Sequence, residues 1–272
     1  MQPKLKIGLL VAGHFIGQLA CASTIDFPPP SIPAFIGLFA LVVSDAGLLG
    51  IWAALGYSRR SWRLVVVVAS TAYLCTLISV AFKANDLDEL IMVFLVVALP
   101  TAAIFLVLTG FRFSRRRLQV GQLVLAAEGF QFSIRQLLVA TGIAAGLLAL
   151  SRGLGHLPTT GPAWKITIFF AIVGPYFMLV ELATLWGALG IGRPLPRLLV
   201  VLPTAFVVGT MPPFFLNTPL KMYLDRTDFI AWSSFMGLQA TILAVSLLVI
   251  RSCGWRLVRG TSGEGQPPPP GP

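Results

Sequence analysis

Apolar residues run along this chain in long unbroken stretches. They do not alternate as in a half-buried strand or form the one-sided stripe of a surface helix. Six runs approach the roughly 20 residues that cross a bilayer: Pro33–Leu55, Leu64–Phe82, Leu90–Leu108, Ile166–Leu189, Leu198–Leu216 and Phe229–Ile250. Two more are short, Ile7–Ala22 and Leu137–Leu150, of a length that fits a re-entrant, interfacial or buried segment as well as a span. The pattern predicts an all-α fold, a polytopic transmembrane helix bundle.

Charge decides how many of these runs span. If all eight do, only Lys83, Arg152, Lys165, Lys221 and Arg226 fall on one side, and the other 15 of the 20 Lys and Arg fall on the opposite side. Acids go the other way, with Asp26, Asp86, Asp88, Glu89, Asp225 and Asp228 sharing the side of the five bases. The positive-inside rule then puts both termini in the cytoplasm. Dropping the short runs spoils the division, so eight spans are expected. Ile7–Ala22, with its basic start and Ala20-Cys21-Ala22, also has the form of a cleaved signal; retention as a span is the preferred reading.

Composition agrees and removes alternatives. Charged residues are 11% of the 272 and the apolar set is 56%, against about 25% charged in an average soluble protein. That excludes an ordinary soluble enzyme and a disordered chain. The formal net charge of +10 invites a nucleic-acid reading, but the sorting by side already accounts for it, so no nucleic-acid partner is expected. Cys21, Cys75 and Cys253 show neither metal-ligand nor disulfide spacing.

The chain also repeats itself. A shift of 134 residues lays Trp52, Ala54, Leu55, Gly56, Arg59, Arg63 and Leu64 on Trp186, Ala188, Leu189, Gly190, Arg193, Arg197 and Leu198. A shift of 129 pairs Gly13 and Gly17 with Gly142 and Gly146, and one of 139 pairs Arg112, Arg117 and Leu118 with Arg251, Arg256 and Leu257. Two parallel four-span repeats are therefore expected. The first is 1–129, ending in a basic cytoplasmic loop; the second is 130–260; a disordered Pro-rich tail occupies 261–272. The G-x-x-x-G pairs read as helix-packing sites.

The stretch FQFSIRQLLVATGIAAGLLAL from Phe130 resembles a segment of uncharacterised planctomycete-type multi-pass membrane proteins, in which F-S-[IL]-R-x-L-L leads into a short Gly/Ala/Leu helix. The resemblance covers about 20 residues. It implies a bacterial membrane setting, here the inner membrane, and carries no activity.

Candidate chemistry is sparse. Asp45 and Glu181 lie inside expected spans at similar depth, and His14 and Gln239 lie near the middle of theirs. An intramembrane acid must face protein or a cavity. The functional reading of these four is a polar site for a cation or proton; the structural reading is interhelical hydrogen bonding. Under the shift of 134, Glu181 falls on Gly47 and not on Asp45, which speaks against a symmetric acid pair. Pro203, Pro212 and Pro213 suggest a broken seventh span. Arg115, Arg116 and Arg117 open a basic loop, Phe111–Gln136, suited to the interface and to anionic lipid.

No catalytic, cofactor or metal signature occurs, so the chain is not read as an enzyme. The expected function is a non-catalytic scaffold, accessory or sensor subunit. The alternative is a permease for a small solute or ion that uses the intramembrane carboxylates. The bilayer is one expected partner; another membrane protein, or a second copy of the chain, is the other.

Overall fold

The computed structural model describes residues 2–25, 32–55, 60–83, 116–120, 162–190, 193–213 and 225–259, with scattered positions between 86 and 109. Among these residues six long helices are present: α1 (Pro3–Ile25), α2 (Ile32–Leu55), α3 (Arg60–Phe82), α4 (Pro162–Leu189), α5 (Pro194–Val208) and α6 (Arg226–Ser252). The described positions from 93 to 109 are helical as well. Among the described residues, five helical segments are long and apolar enough to cross a membrane: Pro3–Ile25, Pro33–Ala54, Ser61–Ala81, Pro194–Pro213 and Arg226–Ser252; Val173–Leu189 is a shorter apolar stretch of α4. The run Leu137–Leu150, the Phe130 segment and the Pro-rich tail lie outside the described residues.

The first short run becomes a helix of 23 residues, because the polar residues that flank it do not stop it. Ser23 Oγ donates to the Ala20 carbonyl at 2.9 Å and Thr24 Oγ1 to that of Cys21 at 2.9 Å. Back-bonding hides these hydroxyls against the helix's own carbonyls. The burial pattern of α1 is inside out. Its buried residue is Gln18, while Leu5, Leu9, Val11 and Ile16 are each more than half exposed. In water this arrangement would forfeit about 1.5–3 kcal/mol for each large apolar side chain left uncovered. In a bilayer it costs nothing, since lipid replaces the missing protein neighbours. The outer faces of α3 (Leu64, Val65, Val68) and α5 (Leu195, Leu199, Val207) are apolar in the same way.

Helix α6 is the hub, packing on α1, α2, α4 and α5. It starts with a capping box: Asp225 Oδ1 accepts from the Thr227 and Asp228 amides, and Asp228 Oδ2 accepts from the Asp225 amide. Three backbone N–H donors and the positive helix end are thereby answered. One core cluster joins Ile51 and Ala54 of α2, Leu182, Leu185, Ala188 and Leu189 of α4, Leu243 and Leu247 of α6, and Ile104 and Leu108. A second joins Ala40 and Val43 to Val173, Phe177, Val180, Ala205, Phe235, Met236 and Ala240. The start of α1 and the end of α6 lie together: Lys6 Nζ donates to Ser252 Oγ at 3.2 Å, and Cys253 Sγ to the Pro3 carbonyl at 3.6 Å.

Arg63 and Arg197, the two arginines that the shift of 134 lays together, both fold back on the preceding helix. Arg63, buried, donates to the Ala53 carbonyl at 2.6 Å, and the Arg197 guanidinium lies 4.8 Å from the centre of the Trp186 ring. Arg251 reaches the end of α4, donating to the carbonyls of Ala188 and Gly190 at 2.8 and 2.6 Å. Basic groups at helix C-termini answer unpaired carbonyls and the negative helix end.

Three expectations need correction. The all-α expectation holds for the bundle but misses a two-stranded antiparallel ribbon, β1 (Arg116–Val120) with β2 (Trp255–Arg259). Part of the basic loop is thus paired strand. Gly254, at φ 91°, turns the chain from α6 into β2, a conformation that suits glycine. Second, Pro203 breaks nothing; it sits inside α5, with Thr204 Oγ1 donating to the Val200 carbonyl at 2.7 Å beside it. The helix turns only at Gly209–Thr210, and Pro212 and Pro213 follow that turn, buried. Third, Gly13 is not a packing glycine. Nothing lies within 4 Å of where its Cβ would be, and Gly17 meets only Leu41, at 3.3 Å. Of the two, Gly17 does pack closely on α2, and α2 answers with Gly37, where a Cβ would lie 3.1 Å from Cys21 Sγ.

Candidate functional site

Two groups of polar side chains are built into the bundle. The first joins α1, α2, α3 and α6. His14 Nδ1 lies 2.5 Å from Asp45 Oδ1, and His14 Nε2 lies 2.8 Å from Ser246 Oγ. Gln18, one turn after His14 on the same face, donates through Nε2 to Asp45 Oδ2 at 2.5 Å. Tyr73 donates its hydroxyl to Gln18 Oε1 at 3.0 Å, and its ring stacks on Phe15 with centroids 5.6 Å apart.

The donors and acceptors limit where the protons can be. Ser246 gives its one hydroxyl hydrogen to the Ile242 carbonyl at 2.8 Å, so toward His14 it can only accept, and Nε2 carries a proton. Nδ1 and Asp45 Oδ1 then share a single proton between them. Whether that makes an imidazolium–carboxylate pair or a neutral imidazole–acid pair, the net charge is zero. A neutral total is what an apolar surrounding tolerates at least cost.

The second group is smaller and more deeply buried. Gln239 Nε2 donates to Glu181 Oε1 at 3.0 Å, and both residues are at most 1% exposed. Among the described residues, Glu181 Oε2 and Gln239 Oε1 have no hydrogen-bond partner. Ser44 Oγ contacts the Ala40 and Gln239 carbonyls at 2.6 and 3.2 Å; it has one hydrogen to give and spends it on backbone. Space for the carboxyl comes from Gly47, where a Cβ would lie 2.8 Å from Glu181 Oε1 and 2.9 Å from its Cδ.

The four residues expected to form one polar site thus fall into two pairs, His14 with Asp45 and Glu181 with Gln239. Among the described residues no side-chain hydrogen bond links the groups. Helix α6 serves both, through Gln239 and Ser246, which sit about 10 Å apart along its axis. Sequence reasoning missed Gln18, Tyr73 and Ser246. Helical spacing could have found two of them: Gln18 follows His14 by four residues, and Ser246 follows Gln239 by seven. Tyr73 carries no such signal. Arg115 is outside the described residues, and of Arg116 and Arg117 only the backbone in β1 is described.

Comparison of the chain with protein-family models, with curated proteins and with solved structures finds no match. The arrangement itself must carry the functional reading.

Proposed function

We propose that the protein is a non-catalytic scaffold, accessory or sensor subunit embedded in the cell membrane. The observation that carries this reading is the closure of the first polar network. Both ring nitrogens of His14 and both carboxylate oxygens of Asp45 are engaged by side chains of neighbouring helices. A solute path needs polar groups left open toward a common space. This network instead spends them in tying α1 to α2, α3 and α6. The test is flux through proteoliposomes holding the purified full-length chain, with protons, monovalent cations and small neutral solutes as probes. Flux equal to that of empty vesicles is expected for the wild type and for Asp45→Asn. Wild-type flux that Asp45→Asn abolishes would overturn the scaffold in favour of a permease.

We also propose that the bundle has eight spans in two duplicated halves, both termini cytoplasmic. The ribbon supports this strongly. In it Leu118 pairs with Leu257, Arg116 with Arg259 and Val120 with Trp255. Leu118 and Leu257 are the residues matched by the shift of 139, and applying that shift turns each pair into another pair of the same ribbon. Such a register belongs to two equivalent strands meeting at a two-fold axis. The first core cluster behaves likewise: Ile51 and Leu185, Ala54 and Ala188, Ile104 and Leu243, and Leu108 and Leu247 are matched residues, each pair inside one cluster. The bond from Lys6 to Ser252 supports termini on a shared side. Membrane-impermeant thiol labelling of single cysteines placed at 2 and at 262 should find both protected in sealed, right-side-out cells. Labelling of either one overturns the topology.

A further inference from the structure

Glu181 stands at an unusual place. Its carboxyl presses on Gly47, the residue it falls on when the two halves are aligned, so it lies where the axis relating them would pass. There one half supplies an acid and the other supplies the space to hold it. Two oxygens remain without a partner among the described residues, Glu181 Oε2 and Gln239 Oε1, on side chains already joined by the bond from Gln239 Nε2 to Glu181 Oε1. An oxygen of each, both buried and both acceptors, lacks the same thing: a hydrogen.

We propose that Glu181 holds a proton on Oε2 and gives it to Gln239 Oε1, closing an acid–amide ring that is an exchangeable proton site on the axis of the bundle. One proton answers both oxygens and removes a charge from an interior that offers no counter-charge. Among the described residues, the faces around it carry no other titratable group. Helix α2 presents Gly47 and Ser44, while its acid, Asp45, is engaged by α1; α6 presents Gln239; α5, packed on the same helix, presents Leu198 and Val201 beside Gly187. The nearest cation on α5, Arg197, lies over Trp186. A metal ion fits less well. A calcium or magnesium ion would need about six or more oxygens, and the carboxyl and one amide oxygen fall short of that number.

The site is independent of the scaffold reading, since a bundle that passes no solute can still hold a proton. The test is infrared difference spectroscopy of the full-length protein in lipid nanodiscs at neutral pH, wild type against Glu181→Gln. A carboxylic-acid carbonyl band is expected in the wild type and absent from the variant, moving on exchange into D2O. Glu181→Gln should fold normally, because a glutamine there can both donate to Gln239 Oε1 and accept from its Nε2. Should that variant fail to fold, wild-type protein carrying glutamate labelled with 13C at the side-chain carboxyl reads the same band, and the isotope shift separates it from Asp45. A carboxylate signature in place of the acid band, or an acid band that sodium or lithium removes, overturns the proposal. A band that does not move in D2O overturns its exchangeable character.

Discussion

The two polar groups of this bundle share two helices, yet they solve the same problem in opposite ways. Around Asp45, five side chains from four helices pass hydrogen bonds from Tyr73 through Gln18 to the carboxylate and from His14 to Ser246. Around Glu181 there are two side chains, one hydrogen bond and two oxygens left over. The Asp45 group is partly exposed and saturated; the Glu181 group is fully buried and lacks a hydrogen. Burial alone therefore does not distinguish structural from chemical acids here. The count of donors and acceptors does: a saturated network resists change, and an unsaturated one has a place for a proton.

The sharpest way to break the comparison is to remove the hub of the saturated group. Asp45→Leu leaves His14 and Gln18 with nothing to receive their hydrogens, and it should cost about 3 kcal/mol of stability, measured as unfolding in mixed micelles. Asp45→Asn should cost less than about 1 kcal/mol. Its amide can donate to a neutral His14 Nδ1 while its oxygen accepts from Gln18. If the two variants are equally damaging, the network is held by charge and not by hydrogen bonding.

At the other group the vulnerable point is space. Gly47→Ala puts a methyl group 2.8 Å from Glu181 Oε1, a clash that should cost about 1–3 kcal/mol. Combined with Glu181→Ala, which empties that space, Gly47→Ala should cost almost nothing further. The non-additivity, above about 1 kcal/mol, is the signature of direct contact. Additive costs would mean that the carboxyl is not where it is described.

Much of the fold is legible in the sequence, because a bilayer demands long apolar helices and little else produces them. Pro33–Leu55 is found as Ile32–Leu55 and Phe229–Ile250 as Arg226–Ser252. Hydropathy undercounts at the ends, where Lys4, Ser23 and Thr24 are helical although polar, and it cannot foresee that α5 carries Pro203 without a break. The ribbon was hidden for a different reason: its strands are far apart in sequence, and neither alone has enough pattern to stand out from a basic loop. Of the site, the residue types were visible and the partnerships were not. Polarity in an apolar run marks His14, Asp45, Glu181 and Gln239, but pairing depends on how helices face one another, which apolar sequence of nearly uniform character leaves undetermined.

Within the saturated group, the cost of each loss should fall with distance from Asp45. Ser246→Ala removes the acceptor of His14 Nε2 and should cost about 1 kcal/mol, read from the same unfolding measurement. Proteolysis of α1 should rise in parallel, since Ser246 is the bond that ties α1 to α6 near its middle.

The smallest effect is expected at the network's outer end. Tyr73→Phe keeps the ring and its stack on Phe15 while deleting the hydroxyl that donates to Gln18 Oε1. The tyrosine is 37% exposed, and hydrogen bonds between membrane helices average about 0.6 kcal/mol, so a loss of about 0.5 kcal/mol is expected. The size of this loss measures how the group works. Were each bond independent, Tyr73→Phe would cost the same with Asp45 as with Asp45→Asn. If the chain of donors polarises along its length, the cost should shrink once the carboxylate at its end is replaced by an amide. A double-mutant cycle on these two positions therefore distinguishes four separate hydrogen bonds from a single cooperative unit organised around the carboxylate of Asp45.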